Sequence, residues 1–119
     1  MALQKVGLGT VTRVALGTTS TVLTVGSAKT CYIRSIICHN IDTVNSSTVK
    51  IHIVPVSGGS VGTASSDNQL AQLSIQPTDT YFFELAYPIT LASTDDTIQV
   101  YNSSTTDAIN VLILGDKEV

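Results

Sequence analysis

Charge is scarce in this 119-residue chain, and basic residues are the scarcest part of it. Only 13% of the residues are charged, against about 25% in an average soluble domain. The formal net charge is −3 at pH 7. Proteins that bind nucleic acid through its phosphates carry a basic stripe, so we predict no nucleic-acid partner. The basic residues are scattered at Lys5, Arg13, Lys29, Arg34, Lys50 and Lys117.

Residues that carry out chemistry are also few. The chain has two histidines, His39 and His52, and a zinc or iron site would need both of them beside a carboxylate. A hairpin turning within residues 42–47 would pair His39 with Val49 or Lys50 rather than with His52. We therefore expect one histidine bonded within a sheet and one on the surface. The prediction is a protein without catalytic residues, metal or cofactor, and so not an enzyme.

Two other local patterns are too incomplete to be sites. Asp95, Asp96 and Asp107 offer fewer oxygen ligands than a calcium loop needs, so solvated turns are the favoured interpretation. The glycine-rich segment 57–60 lacks the lysine and the following helix of a phosphate-binding loop. We expect residues 57–68 to form a mobile surface loop.

Neither a disulfide nor a membrane segment is expected. Cys31 and Cys38 lie seven residues apart in one apparent strand, so they should point to opposite faces at a separation of roughly 23 Å. That geometry prevents a bridge, and free thiols are typical of a reducing cytoplasm. No apolar run is long enough to span a bilayer, and the first residues lack the apolar core of a signal peptide. We predict no membrane partner.

What the sequence does contain is a regular alternation of apolar and polar residues in short runs. Turn-forming residues interrupt these runs every few positions, and no window has a helical period. Thirty residues are Ser or Thr. The pattern predicts an all-β, single-domain antiparallel β-sandwich, jelly-roll-like, with about eight strands. We place an N-terminal arm or short edge strand at residues 1–12 and the sandwich domain at 13–119; no internal repeat is visible.

Two of the predicted strands bear on function. Residues 30–40 carry apolar groups on both faces, which predicts a central strand covered on both sides, partly by a partner. Residues 80–87 place Tyr81, Phe83, Leu85 and Tyr87 on one face. Such a row could form a carbohydrate platform if it were exposed, but in a chain without Trp and with two Phe we expect it in the core.

Three segments carry a resemblance to a known group of proteins. The run TVLTVGSAKTCYIRSIICHN places a glycine turn at residues 25–30 before a strand that ends in an Ile-x-x-x-Asn motif, Ile36 to Asn40. The run YPITLASTDDTIQVYNSS contains a Pro-Ile-x-Leu step, Pro88 to Leu91, followed by a turn and an Asp-x-Ile-x-Val motif at 96–100. The last run, AINVLILGDKEV, has a late glycine and an acidic residue. From about Val22 onward the chain resembles small virion structural proteins of tailed bacteriophages, although Gly26 and Ala28 stand where that turn usually has proline and a second glycine.

The resemblance implies a β-sandwich component of a phage particle, made in the host cytoplasm and located in the virion. The first expectation is a capsid decoration (cement) protein that forms a homotrimer and binds the major capsid protein. A tail, neck or baseplate component that contacts other tail proteins is the alternative. A carbohydrate-binding module for host recognition is the alternative from another class. The candidate interface residues are Leu3, Val6, Leu8, Arg13 and Arg34.

Overall fold

The computed structural model describes residues 3–7, 10–27 and 29–118, and these residues form an all-β sandwich. Their only helical element is a 3₁₀ turn at Ser66–Asn68. The described residues contain no helix that is both long enough and apolar enough to cross a membrane. The strands are β1 (Leu3–Gly7), β2 (Thr12–Val14), β3 (Thr19–Thr24), β4 (Cys31–Asn40), β5 (Ser47–Val54), β6 (Gln69–Ile75), β7 (Thr80–Leu91), β8 (Thr97–Asn102) and β9 (Ile109–Glu118).

The strands form two antiparallel sheets in jelly-roll order. In sheet A the order is β1-β9-β4-β7, and β2 pairs with the first part of β9; in sheet B the order is β3-β8-β5-β6. Without β1, this gives two four-stranded sheets, β2-β9-β4-β7 and β3-β8-β5-β6, which is the arrangement of two Greek keys wound into a jelly roll. The predicted fold class is therefore confirmed, and β4 lies centrally, between β7 and β9.

The core lies between the sheets and follows the predicted alternation in most strands. Leu73 and Ile75 of β6, and Ile98 and Val100 of β8, are buried as expected. On β9 the alternating residues 109, 111 and 113 are also buried. Burying one such side chain contributes about 1.5–3 kcal/mol.

A β-bulge in β4 reverses the alternation halfway along that strand. Relative to β9, the pairing moves from Ile33 opposite Gly115 to Ser35 opposite Leu114, so Arg34 is an extra residue. Cys31 and Cys38 consequently both lie buried in the core. The prediction that they occupy opposite faces is wrong, because it assumed an unbroken period of two.

Two buried asparagines at strand ends join the sheets. The side-chain amide of Asn40, at the end of β4, donates to the backbone oxygens of Ile75 and Gln76 at 3.1 and 3.3 Å, where β6 ends in the other sheet. The amide of Asn102, at the end of β8, donates to the backbone oxygen of Val14 at 3.2 Å, where β2 ends. Each asparagine thus bonds to a carbonyl group at the end of an edge strand in the opposite sheet.

The loops that follow these asparagines repeat one hydrogen-bond pattern. Asn40 accepts from the backbone N–H two residues on and donates to the carbonyl five residues on, and Asn102 does the same. The side chain two residues on, Asp42 or Ser104, then accepts from the N–H groups two and three residues beyond it. The two loops are joined directly, because the Thr106 hydroxyl donates to the Asp42 carboxylate.

The segment between β5 and β6 covers the outer face of sheet B. His52 and Gln99, on that face, are only 5% and 7% exposed. The Gln99 amide donates to the Gly62 carbonyl oxygen at 3.1 Å. His52 Nδ1 lies 3.1 Å from both the Ser65 carbonyl oxygen and Asn68 Oδ1. The glycine content of residues 57–68 predicts a mobile loop. In the structure two buried side chains of sheet B, His52 and Gln99, form hydrogen bonds to this segment.

The first strand lies at the edge of sheet A. Leu3–Gly7 pairs antiparallel with the last residues of β9, from Glu118 to Leu114. Leu8, Gly9 and the first two residues lie outside the described residues. The division into an arm at 1–12 and a sandwich at 13–119 stays a prediction.

Replacing Gly115 with alanine should destabilise the fold strongly. A Cβ atom at this position would lie 2.0 Å from the Tyr32 carbonyl oxygen, which belongs to the paired backbone and cannot move aside. We expect Gly115→Ala to lower the free energy of unfolding by about 3 kcal/mol, the upper end for overpacking, in urea denaturation. In the control Gly26→Ala, the new atom meets only Lys29 Cγ, at 3.8 Å, and the change should stay within about 0.5 kcal/mol. Equal stability of the two variants would contradict the close strand approach.

Acid should weaken the joined loops through Asp42. The hydrogen bond from Thr106, together with those from the Val44 and Asn45 backbone, lowers the Asp42 pKa from 3.8 to about 2. The stabilisation by the carboxylate is therefore complete above about pH 4 and is lost as the pH falls towards 2. We expect Asp42→Asn to be less stable than the wild type at pH 7, with a difference that shrinks between pH 4 and 2. A difference in urea midpoint that stays constant over this range would contradict the role of the charge.

Candidate interaction surfaces

The outer face of sheet A carries an apolar row across three strands. Phe82 of β7 lies opposite Ile37 of β4, and Ile37 lies opposite Leu112 of β9. Directly paired side chains contact each other across strands. Phe82 is 59% exposed, whereas Ile37 and Leu112 are half-buried. Phe82, Ile37 and Leu112, here called the apolar row, therefore present an aromatic group and two aliphatic groups to solvent.

Few charges surround the apolar row. Arg34 Nε lies 2.8 Å from Asp116 Oδ2, with side chains 57% and 5% exposed. Glu84 is exposed and lies opposite Ser35. The bulge at Arg34 carries the guanidinium next to this buried carboxylate. The ion pair holds one cation on β4, three residues before Ile37.

The candidate interface residues from the sequence do not form one cluster. Arg13 of β2 is 67% exposed and pairs with Asp107 at 3.7 Å, whereas Arg34 lies on β4. Leu3 and Val6 lie in β1, opposite Glu118 and Gly115, and Leu8 lies outside the described residues. Their role in an interface stays a prediction.

The aromatic residues of β7 are mostly outside the core. In the pairing of β4 with β7, Ile33 lies opposite Ile89 and Ser35 lies opposite Glu84. The four β7 residues between these pairs, 85–88, therefore face Arg34 alone. This irregularity breaks the expected row, so Tyr87 is 86% exposed. Tyr81 is 41% exposed because β7 is an edge strand. Of the predicted row, only Phe83 and Leu85 pack against the core, so the prediction of core positions is wrong for the two tyrosines.

A groove lies between sheet B and the segment that covers it. Its volume is about 430 Å³. Its apolar walls come from Val54, Pro55 and Val61, and its polar groups include Thr63 and Asn68. Ser57 and Gly62 complete the lining, and none of the lining residues is charged.

The histidines do not meet. His39 is in sheet A, where its Nδ1 lies 2.8 Å from Thr80 Oγ1, and His52 is in sheet B. The expected hairpin between their strands does not form, because β4 and β5 belong to different sheets of the jelly roll. Among the described residues no group of three or more His, Cys, Asp or Glu is arranged to hold a metal ion.

The two thiols are buried, and the carboxylates of Asp96 and Asp107 accept hydrogen bonds within turns and loops. Burial raises the pKa of the Cys38 thiol to about 12, and burial also raises that of Cys31, so neither favours the reactive thiolate. The Asp96 carboxylate accepts from the backbone N–H groups of Val56 and Ser93. The Asp107 carboxylate instead accepts from the backbone N–H of Ala108 and lies 3.7 Å from the Arg13 guanidinium of β2. These carboxylates cap turns rather than converge on one point.

Phe82 is a surface residue that sequence reasoning missed, and Tyr87 is one that it expected in the core. A signal for Phe82 was present, because three consecutive aromatic residues, 81–83, must place at least one on the outer face of a strand. No comparable signal marks Tyr87, since its exposure depends on the irregular pairing opposite Arg34.

Comparison with known proteins adds a distant structural likeness. No protein-family model matches the chain, and no curated protein does. The chain is similar to a solved structure described by the words "Bacillus endospore appendages form a novel family of disulfide-linked pili". The identity is 15%, the TM-score is 0.47, and the match covers 99% of this chain and 87% of the other. A likeness at this level carries no argument about function.

Proposed function

We propose that this chain is a bacteriophage capsid decoration protein, which binds the outside of the expanded shell as a homotrimer and stabilises it. The observation that carries the proposal is the apolar row on the outer face of sheet A. On sheet B the segment between β5 and β6 covers the outer side chains His52 and Gln99, whereas Phe82 on sheet A is 59% exposed. The resemblance of three sequence segments to virion structural proteins gives the row its partner, the major capsid protein.

The composition of this face suits a contact with another protein. Interface cores are depleted in charge and enriched in aromatic residues, and the apolar row has both properties. β4, β7 and β9 have ten, twelve and ten residues, and β1 and β2 together occupy the remaining edge. At about 4.8 Å between strands and about 3.3 Å per residue, the face has a flat area of about 600 Å². That approaches the roughly 800 Å² per partner of a standard interface.

The mechanism follows from mass action and requires no chemistry. A subunit that binds the expanded shell, but not the earlier compact shell, lowers the free energy of the expanded state alone. Each bound copy adds to this difference, so the shell resists heat and the pressure of packaged DNA. Strand β1, which pairs with β9 at the edge of sheet A, would extend the contact to a neighbouring subunit.

A tail, neck or baseplate position would use the same surface. The number of copies per purified particle distinguishes the two locations: near parity with the major shell protein supports decoration, and a small fraction of it supports the tail. Absence from particles would exclude both.

Loss of the aromatic group of the row should weaken shell binding. Phe82→Ser removes the most exposed member of the row, and truncation of an interface anchor costs about 2 kcal/mol or more. We expect binding to expanded shells about thirtyfold weaker, and a smaller gain in shell melting temperature when the protein is added back.

The matched control is Val44→Ser, since Val44 is 77% exposed in the β4–β5 loop away from the row. This variant should bind and protect shells like the wild type. If Phe82→Ser protects shells equally well, the apolar row is not the shell-binding surface.

A second candidate, carbohydrate binding, is favoured by the exposure of Tyr87 and Tyr81. Aromatic rings that face solvent can stack on sugar rings, and both tyrosines do face solvent. The function predicts that host-surface glycans change the tyrosine fluorescence of the wild type, and that Tyr87→Ala reduces the change. No fluorescence change over a glycan panel would contradict it.

A further inference from the structure

We propose that two copies of this chain pair edge to edge through residues 80–84 of β7, so that their A sheets join into one sheet across a two-fold axis. The partner strand is the same segment of a second copy, running antiparallel. Phe82 of each copy lies opposite Phe82 of the other. The contact involves no shell, and the inference does not rest on the proposed function.

Residues 80–84 are the regular part of an edge strand. Among the described residues, β7 pairs with β4 alone. The five residues lie opposite five consecutive residues of β4, from His39 to Ser35, without a register shift. The irregular stretch 85–88 and its proline come afterwards, and both features protect an edge against pairing. Residues 80–84 contain neither feature and no lysine, so this part of the edge is open to another strand.

The hydrogen bonds between β4 and β7 show which backbone groups point outward. The Asn40 N–H donates to the Asp79 carbonyl oxygen at 3.0 Å. Bonded and non-bonded pairs alternate along an antiparallel ladder, so residues 81 and 83 bond to β4, and residues 80, 82 and 84 direct their N–H and C=O groups to the free edge. In agreement with this, the Thr80 N–H donates to Asp79 Oδ1 at 2.9 Å rather than to β4.

The outward groups match those of a second copy. With the two-fold axis at Phe82, the two Phe82 residues exchange N–H to C=O hydrogen bonds. The Glu84 N–H of each copy donates to the Thr80 carbonyl oxygen of the other. These are two bonds at the axis and one on each side of it, and they leave the bond between Thr80 and Asp79 intact. Main-chain bonds of this kind are the usual source of affinity when a strand is added to a sheet edge.

The sequence TYFFE at 80–84 identifies a second copy as the partner, because it is complementary to itself when reversed. The two-fold register pairs Phe82 with Phe82, and it pairs Tyr81 with Phe83 on both sides of the axis. Three of the five cross-strand pairs therefore join aromatic rings, which stabilise a sheet. The remaining two pairs join Thr80 to Glu84, so no like charges lie opposite each other.

The aromatic side chains have exposed area to lose in this contact. Phe82 is 59% exposed and Tyr81 is 41% exposed. Tyr81 shares the inner face of β7 with Phe83, which packs against the core, so the second copy would place its own Phe83 against Tyr81. On the outer face, the apolar row of one copy would continue into the apolar row of the other through the two Phe82 rings.

A polar group at each end of the segment favours this register. His39 Nδ1 lies 2.8 Å from Thr80 Oγ1, and Glu84 is exposed. In the two-fold pair, the Glu84 carboxylate of one copy lies beside Thr80 of the other and accepts from its hydroxyl, while the His39 Nδ1–H donates to the same oxygen. Hydrogen bonds to a charged group are the stronger kind. A shift of two residues would place Glu84 opposite Phe82 and lose these bonds.

The contact uses the same surface on both copies, so it is isologous and stops at two. It is therefore separate from the contact that would close the proposed homotrimer. On a shell it would join copies that belong to neighbouring trimers. The outer face of sheet A stays accessible, because the pairing uses the edge of the sheet.

Opposite charges at position 82 test the two-fold register. Phe82→Lys alone or Phe82→Glu alone places like charges opposite each other, whereas their 1:1 mixture places Lys opposite Glu. By sedimentation velocity of the purified chain without shells, between about 1 μM and about 1 mM, the wild type should dimerise. Each variant alone should associate at least about tenfold more weakly, and the mixture should form heterodimers. The charge control Val44→Lys, in an exposed loop, should dimerise like the wild type.

A proline variant separates this contact from shell binding. Glu84→Pro removes an outward N–H but no hydrogen bond to β4, and edge strands tolerate proline at such positions. It should be monomeric with an unchanged urea midpoint, and it should still protect shells because Phe82 is retained. A wild type that stays monomeric over the whole range, or Phe82→Lys and Phe82→Glu that do not recombine, would overturn the inference and leave the proposed function standing. A dimeric wild type that does not protect shells would remove only the proposed function.

Discussion

The fold depends on the hydrogen bonds of two buried amides, Asn40 and Asn102. Neither side chain is exposed, and a buried amide without partners costs about 1–3 kcal/mol. Each reaches into the opposite sheet and also closes its own loop, so the ends of β2, β4, β6 and β8 are held at one end of the sandwich. Apart from β1, the two sheets are related by an exchange of strands. If β2, β3, β4 and β5 change places with β6, β7, β8 and β9, the strand order of sheet A becomes that of sheet B. The repeated hydrogen-bond pattern is the local expression of this two-fold arrangement.

Asn40 can reach the core only because of the bulge earlier in its strand. Cys31 and Ile33 face inward before Arg34, and Ile36, Cys38 and Asn40 face inward after it. Without the extra residue, Asn40 would point to the outer face of sheet A, away from β6. Gly115 permits the close strand approach at this point, and Asp116 pairs with the displaced Arg34. One local irregularity thus connects the hydrogen bonds at the end of the sandwich with the cation on β4.

The parts that sequence predicts well are those in which an unbroken period of two matches burial. β6 and β9 are examples, and the alternation together with the turn residues is enough to predict a jelly-roll sandwich. Two failures arise from irregular pairing at Arg34. In the pairing of β4 with β9, one inserted residue exchanges the faces of the strand, so the two thiols share the core face. In the pairing with β7, residues 85–88 stand against Arg34 alone, so Tyr87 leaves the predicted row. The groove could not be predicted either. It exists because residues 57–68 bond to His52 and Gln99, and such tertiary contacts leave no local pattern in the sequence.

The outer faces of the two sheets differ in how far the chain covers them, and this difference underlies the proposed function. A sheet face with apolar residues must be covered or accept exposed apolar area. On sheet B the segment between β5 and β6 covers His52 and Gln99, and a groove lies between this segment and the sheet. Sheet A leaves Phe82 in solvent. The two faces therefore differ in what a partner would gain from contact with them. On sheet B the outer side chains His52 and Gln99 already have partners within the chain, whereas Phe82 of sheet A would lose exposed apolar area only against another molecule.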